Sequence, residues 1–340
     1  TKSNSFFQIE VLIMFGSKLC RRGLFFLLIT GFVVLYVSLF GSSYTFLPVR
    51  PLSVSKTDVT VIMDESIAID LYNSVRVICI ILSMENNLNT KTSAVNTTWA
   101  NRCNKHYFIM TTELRTPDII NSEYPDNRSY LMHKVRSAFA FVHDKHMEDI
   151  DWVFKADDDT YAIIENLRFL LSHYDANKPG YLGFKFDKFV ASGFMSGGAG
   201  YVISRQSLKQ LVQSGIRENK CPFLTQEEFT RLGEDRAIAE CLEKVNVPRL
   251  NSRDVFGRDT FHPYQIELHY LGGLPNTLFT WCKEPAVEGR NCCSQFTISF
   301  HYTNPRSMLL MDHLLYKTSV YGRSVPTQMG KVMQIGQYKP

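Results

Sequence analysis

The chain has no cluster of Lys and Arg interleaved with aromatic residues, and its net charge is only +4 over 340 residues. It therefore lacks the electrostatic footprint of a nucleic-acid binder. It also has no CxxC pairs at metal-ligand spacing, which argues against a zinc site. No internal repeat is visible, so there is no basis for a repeat architecture. What remains is a chain of a length to hold one large domain or two small ones. Its hydrophobic fraction of 45% suits a globular protein with a sizeable core.

The stretch Gly23–Phe40, GLFFLLITGFVVLYVSLF, runs for 18 residues without a charge, close to the ~20 needed to cross a bilayer. Lys18, Arg21 and Arg22 precede it, and few charges follow until Arg50. This asymmetry predicts an uncleaved anchor in type II orientation, with the bulk of the chain lumenal. A cleaved signal peptide is the rival reading. The expected layout is a cytosolic tail over 1–22, an anchor over 23–40, a stem over 41–73, a lumenal domain over 74–322 and a flexible tail over 323–340. Residues 1–13 precede Met14, which would be the start if they belong to an upstream piece of a gene model.

Cysteine usage agrees with a lumenal domain, where disulfides are the default. Cys20 falls on the cytosolic side; Cys79, Cys103, Cys221, Cys241, Cys282, Cys292 and Cys293 fall beyond the anchor. Separation along the chain suggests Cys79–Cys103 and Cys221–Cys241, with Cys292 and Cys293 as further disulfide candidates. Seven is odd, so at least one thiol is free or pairs between chains. The sequons at Asn96 and Asn127 fit a secretory protein, although such tripeptides also occur by chance.

Chemistry concentrates in Asp151–Tyr174, DWVFKADDDTYAIIENLRFLLSHY. The apolar run Trp152–Phe154 reads as a strand. Ile163, Ile164, Leu167, Leu170 and Leu171 recur at helical spacing. Between them stand Asp157, Asp158 and Asp159. Ligands of open α/β sheets bind beyond the carboxyl ends of strands. Three carboxylates there repel one another unless a cation or donors offset them. Oxygen ligands suit Mg²⁺ or Mn²⁺ shared with substrate phosphates. The plainer alternative is that Asp159 only caps the helix.

Elsewhere, Val75–Leu82 predicts a buried first strand, Thr97–Cys103 a first helix, His106–Met110 a second strand and Ser129–His146 a helix. Strand and helix alternate, which predicts a mostly parallel sheet covered on both faces. Phe194–Ser204 joins a glycine cluster to a strand; Gly197, Gly198 and Gly200 suit either a close ligand or a plain tight turn. Leu232–Val247 reads as a helix with Glu234 and Asp235 in its first turn, where acids are common for dipole reasons alone. Phe296–Tyr302 alternates like a strand and delivers His301 near its end; a lone histidine of this kind is more often structural.

Taken in order, KADDDTY, MSGGAGYV, ED in a helix, FHP, VEG..CCS and SFHY resemble the fringe-like β-1,3-glycosyltransferases. Within them, TTWANRCNK at Thr97–Lys105 and SRDVFGRDTFHP at Ser252–Pro263 are similar to the core 1 β-1,3-galactosyltransferases. The similarity covers about Val75–Gly322. It implies a GT-A type α/β fold with a Rossmann-like sheet, Mn²⁺ dependence, Golgi membrane anchoring and frequent dimers. The implied reaction is transfer of galactose from UDP-galactose to O3 of GalNAc on Ser or Thr of glycoproteins. It places the metal on Asp157, Asp159 and His301, and the catalytic base on Asp235. Ser83, Lys134, Lys155 and Asp158 fall on the nucleotide-sugar side; Gly197, Gly198, Trp281 and Tyr302 fall on the acceptor side.

Two departures stand out. The family's small-residue and proline turn after the first strand is here Ser83-Met84-Glu85-Asn86. The aromatic loop before VEG is shortened to Trp281-Cys282-Lys283-Glu284-Pro285. A transferase with another donor or acceptor is the first alternative. A non-catalytic chaperone of the active enzyme is the second, but such relatives lack the acidic triplet kept here. Trp281 as plain core packing is also open.

Overall fold

The structure is a computed structural model, and it describes residues 65–221 and 233–318. The expected tail, anchor and most of the stem, like the expected C-terminal tail, lie outside the described residues. Among those described, no helix is long and apolar enough to cross a membrane.

Among the described residues eleven strands follow in chain order: β1 Val77–Leu82, β2 Lys105–Met110, β3 Ile119–Asn121, β4 Trp152–Asp157, β5 Tyr161–Ala162, β6 Tyr181–Gly183, β7 Lys185–Phe186, β8 Phe194–Met195, β9 Tyr201–Ser204, β10 Phe261–His262 and β11 Ser299–Phe300. Six of them form the main sheet in the order β3-β2-β1-β4-β9-β6. β1, β2, β3 and β4 are mutually parallel, and β9 runs antiparallel to both β4 and β6. β1 is buried along its whole length, as its unbroken VICIIL requires. The chain leaves β1 toward β2 and β3, then returns to add β4 on the other side. The strand order therefore reverses between β1 and β4, and the crevice beyond their carboxyl ends is where a ligand is expected.

Alternation along β4 fixes the two faces. Phe154 meets Trp99 edge-on at 6.0 Å on one face. Its neighbour Lys155 points to Glu234, at the start of the helix Glu234–Lys244, on the other. Full burial of a side chain such as Phe154 contributes roughly 1.5–3 kcal/mol of transfer free energy. A small sheet of β10, β11 and β5 lies beside the end of β4.

Several boundaries differ from the sequence expectation. The helix after β1 is Ser93–Thr97, entered through a wide turn over Leu88–Thr92, whereas Thr97–Cys103 ends in a single 3₁₀ turn. The reason is tertiary: Trp99 is buried, and its Nε1–H donates to Thr160 O at 2.8 Å, tying this segment to the turn after β4. Ser66–Ser74, expected as stem, is a helix held by Asn104 Nδ2 donating to Tyr72 O and by the Arg168 guanidinium over the Tyr72 ring. Only Ser299–Phe300 of the Phe296–Tyr302 run pairs as strand. Cys79–Cys103, Cys221–Cys241 and the adjacent Cys292–Cys293 form disulfides, while Cys282 is free.

Candidate active site

β4 ends in the acidic turn beside the switch in strand order. The cap of the following helix Ile164–Leu171 is Ile163, so Asp159 does not serve as its N-cap. Each aspartate has different company. Asp158 is buried and accepts hydrogen bonds from Ser83 Oγ and Asn87 Nδ2, both at 2.7 Å. Asp159 Oδ2 accepts from Lys91 Nζ at 2.9 Å, and its Oδ1 lies 3.1 Å from His301 Nε2. Burial alone would raise the Asp159 carboxyl, but His301 and Lys91 outweigh it and hold it down at about 2. Asp157 Oδ2 lies 3.9 Å from the same His301 nitrogen.

Asp157, Asp159 and His301 thus offer one ligand atom each, all within 4.8 Å of one another. The other imidazole nitrogen, Nδ1, is 3.2 Å from Pro263 O. An N–H donated there leaves Nε2 facing two carboxylates with a lone pair. In that tautomer a cation between Nε2 and the carboxylates would satisfy all three; in the other tautomer Nε2–H donates to Asp159 Oδ1. A backbone carbonyl orienting a histidine in this way is the usual support of a metal ligand. Two carboxylate oxygens and one imidazole suit a divalent cation such as Mn²⁺.

Lys155 ties this turn to the opposite wall. Its buried ammonium lies 2.7 Å from Asp157 Oδ1 and 3.1 Å from Glu234 Oε2, and donates to Gly197 O at 3.2 Å. Burial opposes that charge, but the two carboxylates outweigh it and hold the amine protonated. Glu234 is further pinned by Tyr201 Oη–H at 2.6 Å. Asp235, next in the helix, accepts the Gly197 N–H at 3.1 Å and lines the cleft. Burial raises its carboxyl above the ordinary aspartate range. Space requires glycine at 198, where a Cβ would fall 2.0 Å from His301 Cε1; one on Gly197 would make a tight contact, 3.0 Å from Glu234 Oε2.

These groups line one cleft of about 820 Å³. Ser83, Lys155, Asp157, Asp158, Asp159, Gly197, Gly198, Asp235, Trp281, His301 and Tyr302 all reach it. Tyr302, in a left-handed conformation with φ of 52°, stacks on His301 with ring centroids 3.8 Å apart. Trp281 is half-buried: it packs against the core beside Phe186, stands edge-on to Phe189 at 4.8 Å and also lines the cleft, so core packing accounts for part of its environment. Lys134 does not line the cleft; its amine contacts Asp126, and burial lowers it to about 8. Asp126 in turn accepts the Glu85 N–H, so Lys134 is linked to the segment after β1 through that carboxylate. Asn127 is exposed and Asn96 half-buried.

Sequence reasoning missed Lys91, Thr160 and Arg236. Thr160 Oγ1 donates to Gly198 O at 2.7 Å, joining the acidic and glycine turns. Its position directly after the aspartates was a usable signal. Lys91 reaches Asp159 across 68 positions, which no local pattern reveals.

With this geometry in place, the comparisons locate the chain among known proteins. The profile of the Fringe-like family matches residues 77–313, and the chain belongs to that family. A glycoprotein-N-acetylgalactosamine 3-beta-galactosyltransferase 1 of Xenopus laevis is 36% identical over 263 residues, spanning 76% of this chain and 71% of that protein. A mouse beta-1,3-glucosyltransferase is 31% identical over 117 residues, 33% of this chain and 22% of its own length. The solved galactosyltransferase LgtC, with donor and acceptor sugar analogs, covers 66% of this chain and 86% of its own at 13% identity and a TM-score of 0.35. That score is too low to bear on fold or reaction. The fold is the six-stranded, mostly parallel sheet described above.

Proposed function

We propose that this chain is an inverting β-1,3-galactosyltransferase that moves galactose from UDP-galactose to O3 of GalNAc-α-Ser/Thr on glycoproteins. The observation that carries the reading is the convergence of Asp157, Asp159 and His301 on one point, across a cleft from Asp235. The similarity to the Xenopus transferase supports the donor and acceptor.

Asp157, Asp159 and His301 would hold Mn²⁺. When bound, the ion supplies Lewis-acid stabilisation of the departing diphosphate. Asp158, fixed by Ser83 and Asn87, and the Ser83 hydroxyl lie at the carboxyl end of β1, where the nucleoside would sit. Asp235 accepts the proton of the GalNAc O3 hydroxyl as that oxygen attacks the anomeric carbon from the face opposite UDP. The C1–O bond to UDP breaks, the new C1–O3 bond forms, and an α-linked donor gives a β-linked product. Lys155 holds the two halves of the site in register through Asp157 and Glu234. Gly197 and Gly198 keep the acceptor wall open, and Trp281 and Tyr302 offer ring faces to the sugar.

The same reading takes the protein to the Golgi membrane as a type II protein. Its support is the uncharged run Gly23–Phe40 and the basic residues before it. A donor panel tests the reading. With a GalNAc-threonine peptide, UDP-galactose should outcompete UDP-glucose and UDP-N-acetylglucosamine, and the product anomeric signal should be β. Preference for another nucleotide sugar, or an α product, would overturn it.

A further inference from the structure

The cations around the cleft are not equivalent. Lys155 is spoken for by Asp157 and Glu234, and Lys91 by Asp159. Arg128 and Arg236 also line the cleft and have no such carboxylate partner among the described residues, and Arg236 is the one set against aromatic rings. It follows the proposed base directly; its guanidinium feels the charge of the Asp235 carboxylate, yet makes no hydrogen bond or ion pair to a carboxylate among the described residues. It lies instead over aromatic faces: 3.8 Å from the Phe189 centroid, 5.4 Å from Phe194 and 5.5 Å from Trp281. Stacking of this kind holds the planar fork while leaving its N–H groups available at the edge. Phe189, the main platform, is half exposed at 51% and has a φ of 72°, a costly conformation for an aromatic residue. Lys188 adds a second cation above the Phe189 and Trp281 rings, at 5.6 and 5.8 Å. This cationic, aromatic rim gathers around Trp281 and Phe189.

We infer that Arg236 is a specificity-determining residue whose guanidinium receives a carboxylate carried by the acceptor, so that acidic glycopeptides are preferred substrates. The inference rests on the acceptor reading proposed above. Asp157, Asp158, Asp159 and Glu234 already have Lys155 and Lys91 as counter-charges, whereas Arg236 has no carboxylate in hydrogen-bond or ion-pair contact among the described residues. Its planar fork matches a carboxylate bidentately.

The test compares kcat/KM of the full chain on GalNAc-threonine peptides that differ only in Glu, Gln or Lys flanking the glycosylated Thr. The Glu peptide should exceed the Gln peptide roughly tenfold at low salt, as one charge-assisted contact implies. The ratio should shrink as ionic strength rises. Arg236→Leu should bring it to about one, and Arg236→Lys should keep part of it. A neutral peptide whose GalNAc carries a carboxylated sugar forms a second arm; preference for it over the Gln peptide would place the carboxylate on the glycan instead. Equal rates on all of these in the wild-type chain, or a Glu preference that survives Arg236→Leu, would overturn the inference. Transfer to the Gln peptide without any charge preference would remove this inference and leave the galactosyltransferase reading intact. Transfer to no peptide at all would remove both.

Discussion

At the scale of single residues, the site is set by what each side chain is denied. Gly198 has no room for a methyl group because His301 occupies the space. Gly198→Ala should therefore displace the imidazole and lower kcat/KM at least tenfold, with part of the loss recovered at high Mn²⁺; a metal titration of activity checks this. Asp235 is set against Gly197 N–H and raised by burial. A base must be ionised, so activity should rise with pH through that raised value and fall below it. The acid limb of kcat/KM should lie above the ~3.9 of a free aspartate. Asp235→Asn should cost ~10²–10⁴ in kcat while UDP-galactose binding, followed by calorimetry, changes little.

At the scale of elements, the acidic turn is held from below by a segment far away in sequence. Trp99 Nε1–H satisfies Thr160 O, and the Cys79–Cys103 disulfide fastens the same segment to β1. Trp99→Phe should leave that carbonyl buried and unpaired, costing about 1–3 kcal/mol in thermal or urea denaturation. Removing the disulfide by Cys79→Ala and Cys103→Ala should cost roughly 3 kcal/mol, read the same way. These contacts explain what was legible in the sequence. β1 and β4 were visible because VICIIL and WVF are buried runs whose pattern is local. Both inferred disulfides within the domain match short separations along the chain. The helix at Ser93–Thr97 was not visible, because Trp99 is pulled out of helical spacing to reach Thr160. β5 escaped for a similar reason: two residues, Tyr161 and Ala162, pair only with Ser299 and Phe300, which arrive from the far end of the chain. The acidic triplet was legible as a site, whereas its partner Lys91 was not, since it stands in no local pattern with it.

At the scale of the molecule, the reversal of strand order between β1 and β4 opens a crevice, and the chain fills its rim from four distant stretches. The β4 turn brings the carboxylates, β11 delivers His301, the turn between β8 and β9 brings the glycines, and the helix Glu234–Lys244 brings Asp235. Lys155 bridges two of these through a buried ammonium. Lys155→Met would leave Asp157 and Glu234 uncompensated; a loss of about 3–5 kcal/mol is expected in equilibrium unfolding. The account as a whole stands on the claim that a divalent cation on Asp157, Asp159 and His301 serves galactosyl transfer to GalNAc. The most direct measurement is galactose transfer from UDP-galactose to a GalNAc-threonine peptide by the full chain, with Mn²⁺ and after chelation, beside Asp159→Ala. The account predicts a β-1,3-linked product that disappears on chelation, returns with Mn²⁺ and is absent in the variant. Undiminished transfer after chelation, or by the Asp159→Ala protein, would contradict it.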